Sequence, residues 1–393
     1  MDHASTVDWV VFVLVVGARL VVPLLIGRFP LPAILAALVV DGVDKSLFEA
    51  FTDLDLENYQ SYDKALDVYY LAVAYLAVLR NWRDRFSVGV VAALWYYRLV
   101  GVLAFELTDA RWLLVVFPNT FEYVVIAIEV VRTRWDQRRM SGAAVLGLAA
   151  VIWVVVKLPQ EWWIHVAQRD VTDELGKRPW VGVLLVVLGV TAAVVVRRLW
   201  SRLPRPDWRF TLDADEVSRR TATRDRDLAP RPTPRPGPRA AAVTRWAVGE
   251  KVVLVGLVTT ILVSSYPRID ARWWAAWAVV AGTVLVHAAL QGWRLRSGHH
   301  GPTRLGPQLA ANTLISLVAI VALTALVSGG RSADVPLVDA VLIAWVVALV
   351  TTLYDRWVPS AWTDGPTSDG PMGPRPDRRE EPPVAVTLPP AAG

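Results

Sequence analysis

The chain has 393 residues, 54% of them hydrophobic, a mean hydropathy of +0.39 and a net charge of +5. Repeated apolar runs of about 18–22 residues exceed what a soluble core needs, and they lack the alternation of a membrane β-barrel. The pI near 9.5 does not point to nucleic acid, because the excess arginines sit in loops between apolar runs, and the absence of cysteine excludes disulfides, thiolate nucleophiles and thiolate-held metals.

The fold class read from this pattern is all-α: a polytopic transmembrane helical bundle of about 11 spans. The spans run roughly over 8–27, 31–50, 64–80, 86–105, 112–131, 143–158, 180–197, 249–265, 273–290, 307–327 and 337–355. The N-terminal segment lacks a basic n-region, so the first run is read as a retained helix. The second run contains Asp41, Gly42, Asp44 and Lys45, which predicts a broken or re-entrant helix. The sixth is expected to end before Lys157-Leu158-Pro159, and an interfacial helix carrying Trp162 and Trp163 follows it.

Arg80, Arg83 and Arg85 fall in one loop, and Arg132, Arg134, Arg138 and Arg139 in the loop two spans later. Segment 51–63 is acidic with no Lys or Arg. The positive-inside rule then places the N-terminus outside and the C-terminus in the cytoplasm of a cell-membrane protein. Basic residues are almost all arginine, with lysine only at 45, 64, 157, 177 and 251. With abundant Ala and Val, this points to a GC-rich, bacterial coding sequence.

Four regions follow from composition. Residues 1–197 form a seven-span membrane domain with a charged pocket in its outer half. Residues 198–248 are an Arg/Pro-rich cytoplasmic linker, read as a tether that is extended over 231–239. Residues 249–357 form a four-span accessory membrane domain with almost no internal charge. Residues 358–393 are a disordered cytoplasmic tail. Linker and tail are the places where a cytoplasmic partner would dock.

The charges inside the first domain carry the functional expectation, because ionisable groups at membrane depth are costly and mark functional paths. From the rise per residue, Arg19 and Asp41 lie at matching depths of roughly 15 Å on consecutive helices, which predicts an Arg19–Asp41 pair. Asp44, Asp67, Arg98, Glu122 and Lys157 fall at neighbouring levels. The candidate substrate- or ion-binding set is Arg19, Asp41, Asp44, Asp63, Asp67, Arg98, Asn119, Glu122, Lys157, Glu161 and His165. Asn119 and Glu122 adjoin Pro118, which frees a backbone carbonyl. Glu161 and His165 are an i,i+4 pair able to hold a metal or exchange protons. Tyr69, Tyr70, Tyr96 and Tyr97 sit too deep for an interfacial belt alone and are expected to line the cavity.

Asp41-x-x-Asp44 and Asp63-x-x-x-Asp67 each present two carboxylates on one helix face. Such a set suits a hard divalent cation or proton exchange. The four positions partly resemble the signature of the CDP-alcohol phosphotransferases, which pair two such motifs around divalent metals. The resemblance is confined to residues 41–67. Lys45 stands where the family has Gly, and Phe48-Glu49 where it has Ala-Arg. It implies a divalent cation; no activity is carried over, because the expected topology places these acids outside, away from cytoplasmic nucleotide.

Three functions fit. One is cation- or proton-coupled transport of a small solute. Another is a membrane enzyme acting on a lipid-linked substrate at the outer leaflet. The third is a non-catalytic membrane component. Membrane lipids and a small-molecule, ion or lipid substrate are the expected partners, and no catalytic residue is specified. No nucleotide-binding loop of the Gly-x-x-x-x-Gly-Lys-[Ser/Thr] type is present.

Overall fold

The computed structural model describes residues 5–52, 59–167, 179–200, 204–228, 245–264, 305–327 and 337–358, together with position 282. The described residues are helical, with no strand among them. In chain order the elements are α1 (Thr6–Val21), continued by a 3₁₀ segment (Val22–Gly27), then α2 (Pro30–Phe51), α3 (Tyr59–Asn81) and α4 (Arg85–Thr108). Next come α5 (Trp112–Val116), α6 (Thr120–Arg132), α7 (Gly142–Val151), α8 (Leu158–Glu161) and α9 (Pro179–Trp200). The rest are α10 (Ala214–Leu228), α11 (Arg245–Ser264), α12 (Leu305–Val327) and α13 (Leu337–Trp357). Helices occupy every expected span except 273–290, which lies outside the described residues, as do 231–239 and the tail beyond 358.

Among the described residues, five segments are long and apolar enough to cross a membrane: Thr6–Gly27, Arg85–Thr108, Trp112–Arg132, Gly142–Ile164 and Ala340–Trp357. The described part of the chain is therefore all-helical, with five candidate membrane-spanning helices. At the centre of the bundle lies α3, whose residues from Val68 to Leu79 are all buried. A helix that is enclosed all round can dispense with a polar face. Around it pack α2, α4, α6, α11 and α13, and Tyr75, Trp95 and Phe121 form its aromatic centre, with Tyr75 stacked on Trp95 at 5.8 Å. The helices α11 and α13 enter this same core through Leu254, Val258, Ile261, Ala344 and Val350.

Three expectations are corrected. First, α2 is one unbroken helix. Its acids do not interrupt it, because Asp44 continues the buried stripe of Ile34, Ala37 and Phe48 and has a partner waiting there. Second, the sixth span does not stop at Pro159. Between α7 and α8 the backbone switches to a π-helical register over Ile152–Lys157, and a second π turn spans Trp162–Val166. Pro159 then falls in the first turn of α8, where its missing N–H is tolerated. Trp162 therefore sits on the same helical run as Lys157, and no separate interfacial helix begins there.

Third, the linker is not a plain tether over 204–228. It folds under the arginine-rich end of the bundle. The indole of Trp135 donates to the Pro204 carbonyl at 3.0 Å, and Trp208 donates to the Arg132 carbonyl at 3.2 Å. Asp207 accepts from the Asp136 backbone at 2.9 Å and pairs with Arg139 at 3.3 Å. In α10, Ala214, Val217 and Thr221 form the buried stripe at helical spacing, while Asp215 pairs with Arg80 at 2.8 Å. The backbone N–H of Ala214 donates to the Arg28 carbonyl at 2.8 Å.

Two carboxyls of this segment tie its docking to pH. Slight burial pushes Asp213 up, but the backbone N–H groups of Asp215 and Glu216 and the Arg28 guanidinium outweigh it and hold the carboxyl below its ordinary value. Glu216 is lowered by the Thr211 hydroxyl and by Arg220. Both groups bind protons more readily when the segment is released, so their contribution is complete above about pH 4 and is lost as pH falls through the lowered values. Hydrogen exchange of the 207–221 amides should accelerate below about pH 4 before that of α3 does. Equal protection at pH 3 and pH 7 would show that these carboxyls do not hold the segment.

Candidate functional site

Arg19 lies in the last turn of α1 and is 5% exposed. Its guanidinium donates to Asp41 and Asp44 of α2 and to Asp63 of α3, the last at 2.5 Å. The expected Arg19–Asp41 pair is formed, and Asp44 and Asp63 complete it. Spacing explains the convergence: Asp41 and Asp44 are three residues apart on one face of α2, and Asp63 starts the facing turn of α3. The guanidinium offers five N–H donors in a rigid planar fork, against the three of a lysine ammonium on a flexible stem.

From Asp63 the same face of α3 continues through Asp67 to Tyr70, at spacings of four and three residues. The Tyr70 hydroxyl donates to Glu122 of α6. Asp67 thus sits one turn from the Arg19 cluster and one turn from Glu122, within electrostatic reach of Glu122, Arg98 and Arg19. Among the described residues it forms no hydrogen bond and no ion pair, unlike every other acid of the set.

Pro118 divides the fifth span as expected, separating α5 from α6. The freed Phe117 carbonyl accepts from Arg98 at 2.9 Å, and the Val116 carbonyl accepts from Tyr97 at 2.7 Å. The break fits closely against α4, since a Cβ on Gly101 would collide with Phe117. Below it, Asn119 donates to Glu122 at 2.9 Å, and its backbone N–H donates to Glu161 at 3.3 Å. Glu161 pairs with Lys157 at 3.2 Å. Lys157 also donates to Gln160 at 3.0 Å and lies 4.6 Å from the ring centre of Tyr123. Three buried polar atoms at the break have no partner among the described residues: Asn119 Oδ1, Thr120 Oγ1 and Arg98 Nε.

Direct contacts thus form two clusters, Arg19 with Asp41, Asp44 and Asp63, and Glu122 with Tyr70, Asn119, Glu161 and Lys157, with Asp67 between them within electrostatic reach and Arg98 on the Phe117 carbonyl. The His165 side chain lies outside the described part of the structure. Tyr69, expected to line a cavity, instead donates to the Leu20 carbonyl at 2.7 Å. Two crevices among the described residues lie at the arginine-rich end, beneath α3 and α6.

Sequence reasoning missed Tyr123 and Gln160 as partners of Lys157. It also missed Glu250, which accepts from Tyr75 at 2.9 Å and from Tyr354 at 3.2 Å, and the Lys251–Asp355 pair at 2.7 Å. Glu250 and Lys251 lie at the very start of the eighth apolar run, where a charge reads as solvated.

Asp41, Asp44 and Asp63 bring carboxylate oxygens within 4.8 Å of one another, close enough for a metal ion. The donor set does not fit one as arranged, because the Arg19 guanidinium already occupies the place between them. Charge is nonetheless unbalanced. Among the described side chains of the network, Asp41, Asp44, Asp63, Asp67, Glu122 and Glu161 are six acids, against the three bases Arg19, Arg98 and Lys157. Full ionisation would leave three negative charges, which the low-dielectric surroundings of the buried Asp44, Glu122 and Glu161 oppose, while Asp41, Asp63 and Asp67 are partly exposed.

Replacing Arg19 by Leu should cost about 3–5 kcal/mol, because it leaves the buried Asp44 carboxylate without its partner. Thermal unfolding of the purified protein would report the loss, and adding Asp41→Asn and Asp44→Asn should recover part of it. Unchanged stability of Arg19→Leu would show that the cluster is solvated.

No protein-family model matches this chain, and no curated protein or solved structure matches it either.

Proposed function

We propose that the chain is a multi-pass cell-membrane transporter that couples movement of a small solute to protons taken up by the Asp67–Glu122 section of the N-terminal helices. The observation that carries this reading is the surplus of carboxylates over bases in a network that links α1, α2, α3, α4, α6 and α8. Such a network needs cations that it does not own, and exchangeable protons are the smallest that serve. Asp67 is the carrier in this reading, since its neighbours leave it without a fixed partner. The broken helix at Pro118 supplies the other half. Its unpartnered Asn119 Oδ1 and Thr120 Oγ1 are available to a solute or a water in the same place.

Proton transfer along this route runs between Asp67 and Glu122, with the Tyr70 hydroxyl hydrogen-bonded to Glu122 as a relay. Arg19 is a fixed counter-charge that holds α1, α2 and α3 in register and takes no part in transfer. The topology in this reading has the N-terminus outside, so the carboxylates face the external solution and the arginine-rich loops the cytoplasm.

Proteoliposomes loaded with a pH-sensitive dye test the proposal. Purified protein should dissipate an imposed pH gradient, or do so when a transported solute is supplied from a small-metabolite panel. Asp67→Asn and Glu122→Gln should reduce the rate at least tenfold while leaving the thermal midpoint within a few degrees. Identical rates in the wild type and both variants would rule out this route.

A further inference from the structure

At the arginine-rich end, away from the charge network, the folded linker closes a crevice that none of the roles above uses. It is walled by the α3–α4 junction at Asn81–Asp84, the turn Asp136–Arg138, and Trp208, Val217, Ser218 and Thr221 of the docked segment. The elements that end here include three candidate membrane-crossing segments, Arg85–Thr108, Trp112–Arg132 and Gly142–Ile164. The crevice therefore lies at the level where a lipid headgroup would stand.

Its acids are already committed. Asp84 caps α4 by accepting from the Ser87 backbone at 2.9 Å and from the Ser87 hydroxyl at 2.5 Å. Asp136 holds Arg138, at 2.8 Å from the guanidinium. The Arg132 guanidinium is also engaged, with Glu129 at 2.5 Å and the Asn81 carbonyl at 3.0 Å. What remains is a surplus of donors. Gln137 is 5% exposed, and its side-chain Nε2 has no partner among the described residues. The Arg83 side chain is exposed and forms no hydrogen bond or ion pair among the described residues, and the Ser218 hydroxyl is likewise uncommitted.

A buried amide donor without an acceptor costs roughly 1–3 kcal/mol, and it is not left so without a reason. The turn that carries it is held rigid: Asp207 accepts from the Asp136 backbone, and Arg139 and Met140 close the 3₁₀ turn with backbone bonds of 3.0 Å. Gln137 is thus pre-positioned and not merely unsatisfied in passing.

We infer that this crevice binds a phosphate group, with the Arg83 guanidinium, the Gln137 amide and the Ser218 hydroxyl as its donors. A fork of guanidinium N–H groups beside a neutral amide and a hydroxyl matches several oxygens on one tetrahedral centre, and Arg is the side chain best suited to that geometry. The group belongs either to the headgroup of an anionic membrane lipid or to a soluble phosphate compound. Because Ser218 and Trp208 come from the docked segment, occupancy favours the docked state.

The experiment uses the full chain and three variants: Arg83→Gln, Gln137→Leu, and Arg205→Gln as a control for an exposed arginine outside the crevice. Nanodiscs of phosphatidylglycerol in phosphatidylcholine, and inorganic phosphate with the protein in detergent, serve as separate probes. Binding is read as retained lipid by native mass spectrometry and as phosphate-dependent thermal shift. Arg83→Gln and Gln137→Leu should weaken binding about tenfold and Arg205→Gln should not. Loss seen only with phosphatidylglycerol identifies a lipid headgroup, and loss seen with inorganic phosphate identifies a soluble source. Equal binding by wild type, Arg83→Gln and Gln137→Leu with both probes overturns the inference, as does an equal loss in all three variants, which reports general surface charge. Arg83 is exposed, so its variant folds even if Gln137→Leu does not.

Discussion

One guanidinium shared by three carboxylates sets the geometry of the N-terminal helices. Arg19 sits where lipid would otherwise forbid a charge, and it is tolerable there only because α2 and α3 bring Asp41, Asp44 and Asp63 to it. That requirement places α1 against α2 and puts the Asp63–Asp67–Tyr70 face of α3 toward α6. It also leaves the network over-supplied with acid. A single arginine offsets one negative charge, not three, so the cluster holds its helices together and retains a demand for further cations.

The break at Pro118 works by a complementary principle. A helix interrupted inside a membrane exposes carbonyls that must find donors. Here Arg98 and Tyr97 of α4 supply them, and Gly101 lets α4 come close enough to do so. The break in turn positions Asn119 and Glu122 next to Tyr70 and Glu161. Charged residues and irregular backbone thus support each other, and among the described residues several buried polar atoms at the break are left without partners.

Much of this was legible in the residues. Apolar runs gave the helices, and charges inside them gave the network, because burial of a charge in a span has few explanations. Matching depth on adjacent antiparallel helices was enough to pair Arg19 with Asp41. Other features were hidden for physical reasons. The run over 142–166 passes Pro159 by changing to a π register, which depends on hydrogen bonds that no local propensity reports. The docking of 204–228 was obscured because its helix is strongly polar: among its described side chains Ala214, Val217 and Thr221 are the buried ones, too narrow a stripe to stand out among arginines and aspartates. Glu250 was overlooked because it lies near the end of an apolar run, where a charge reads as solvated until Tyr75 and Tyr354 are seen to reach it.

The central claim is that the network holds exchangeable cations because its acids outnumber its bases. Difference infrared spectroscopy of the membrane-reconstituted protein tests it most directly, by following the carboxylic-acid carbonyl band as pH is changed. The account predicts a protonated-carboxyl band that titrates reversibly and is lost or shifted in Asp67→Asn. If the band titrates identically in the wild type and in Asp67→Asn, and the protein binds no metal cation, the network carries no exchangeable cation and is purely structural.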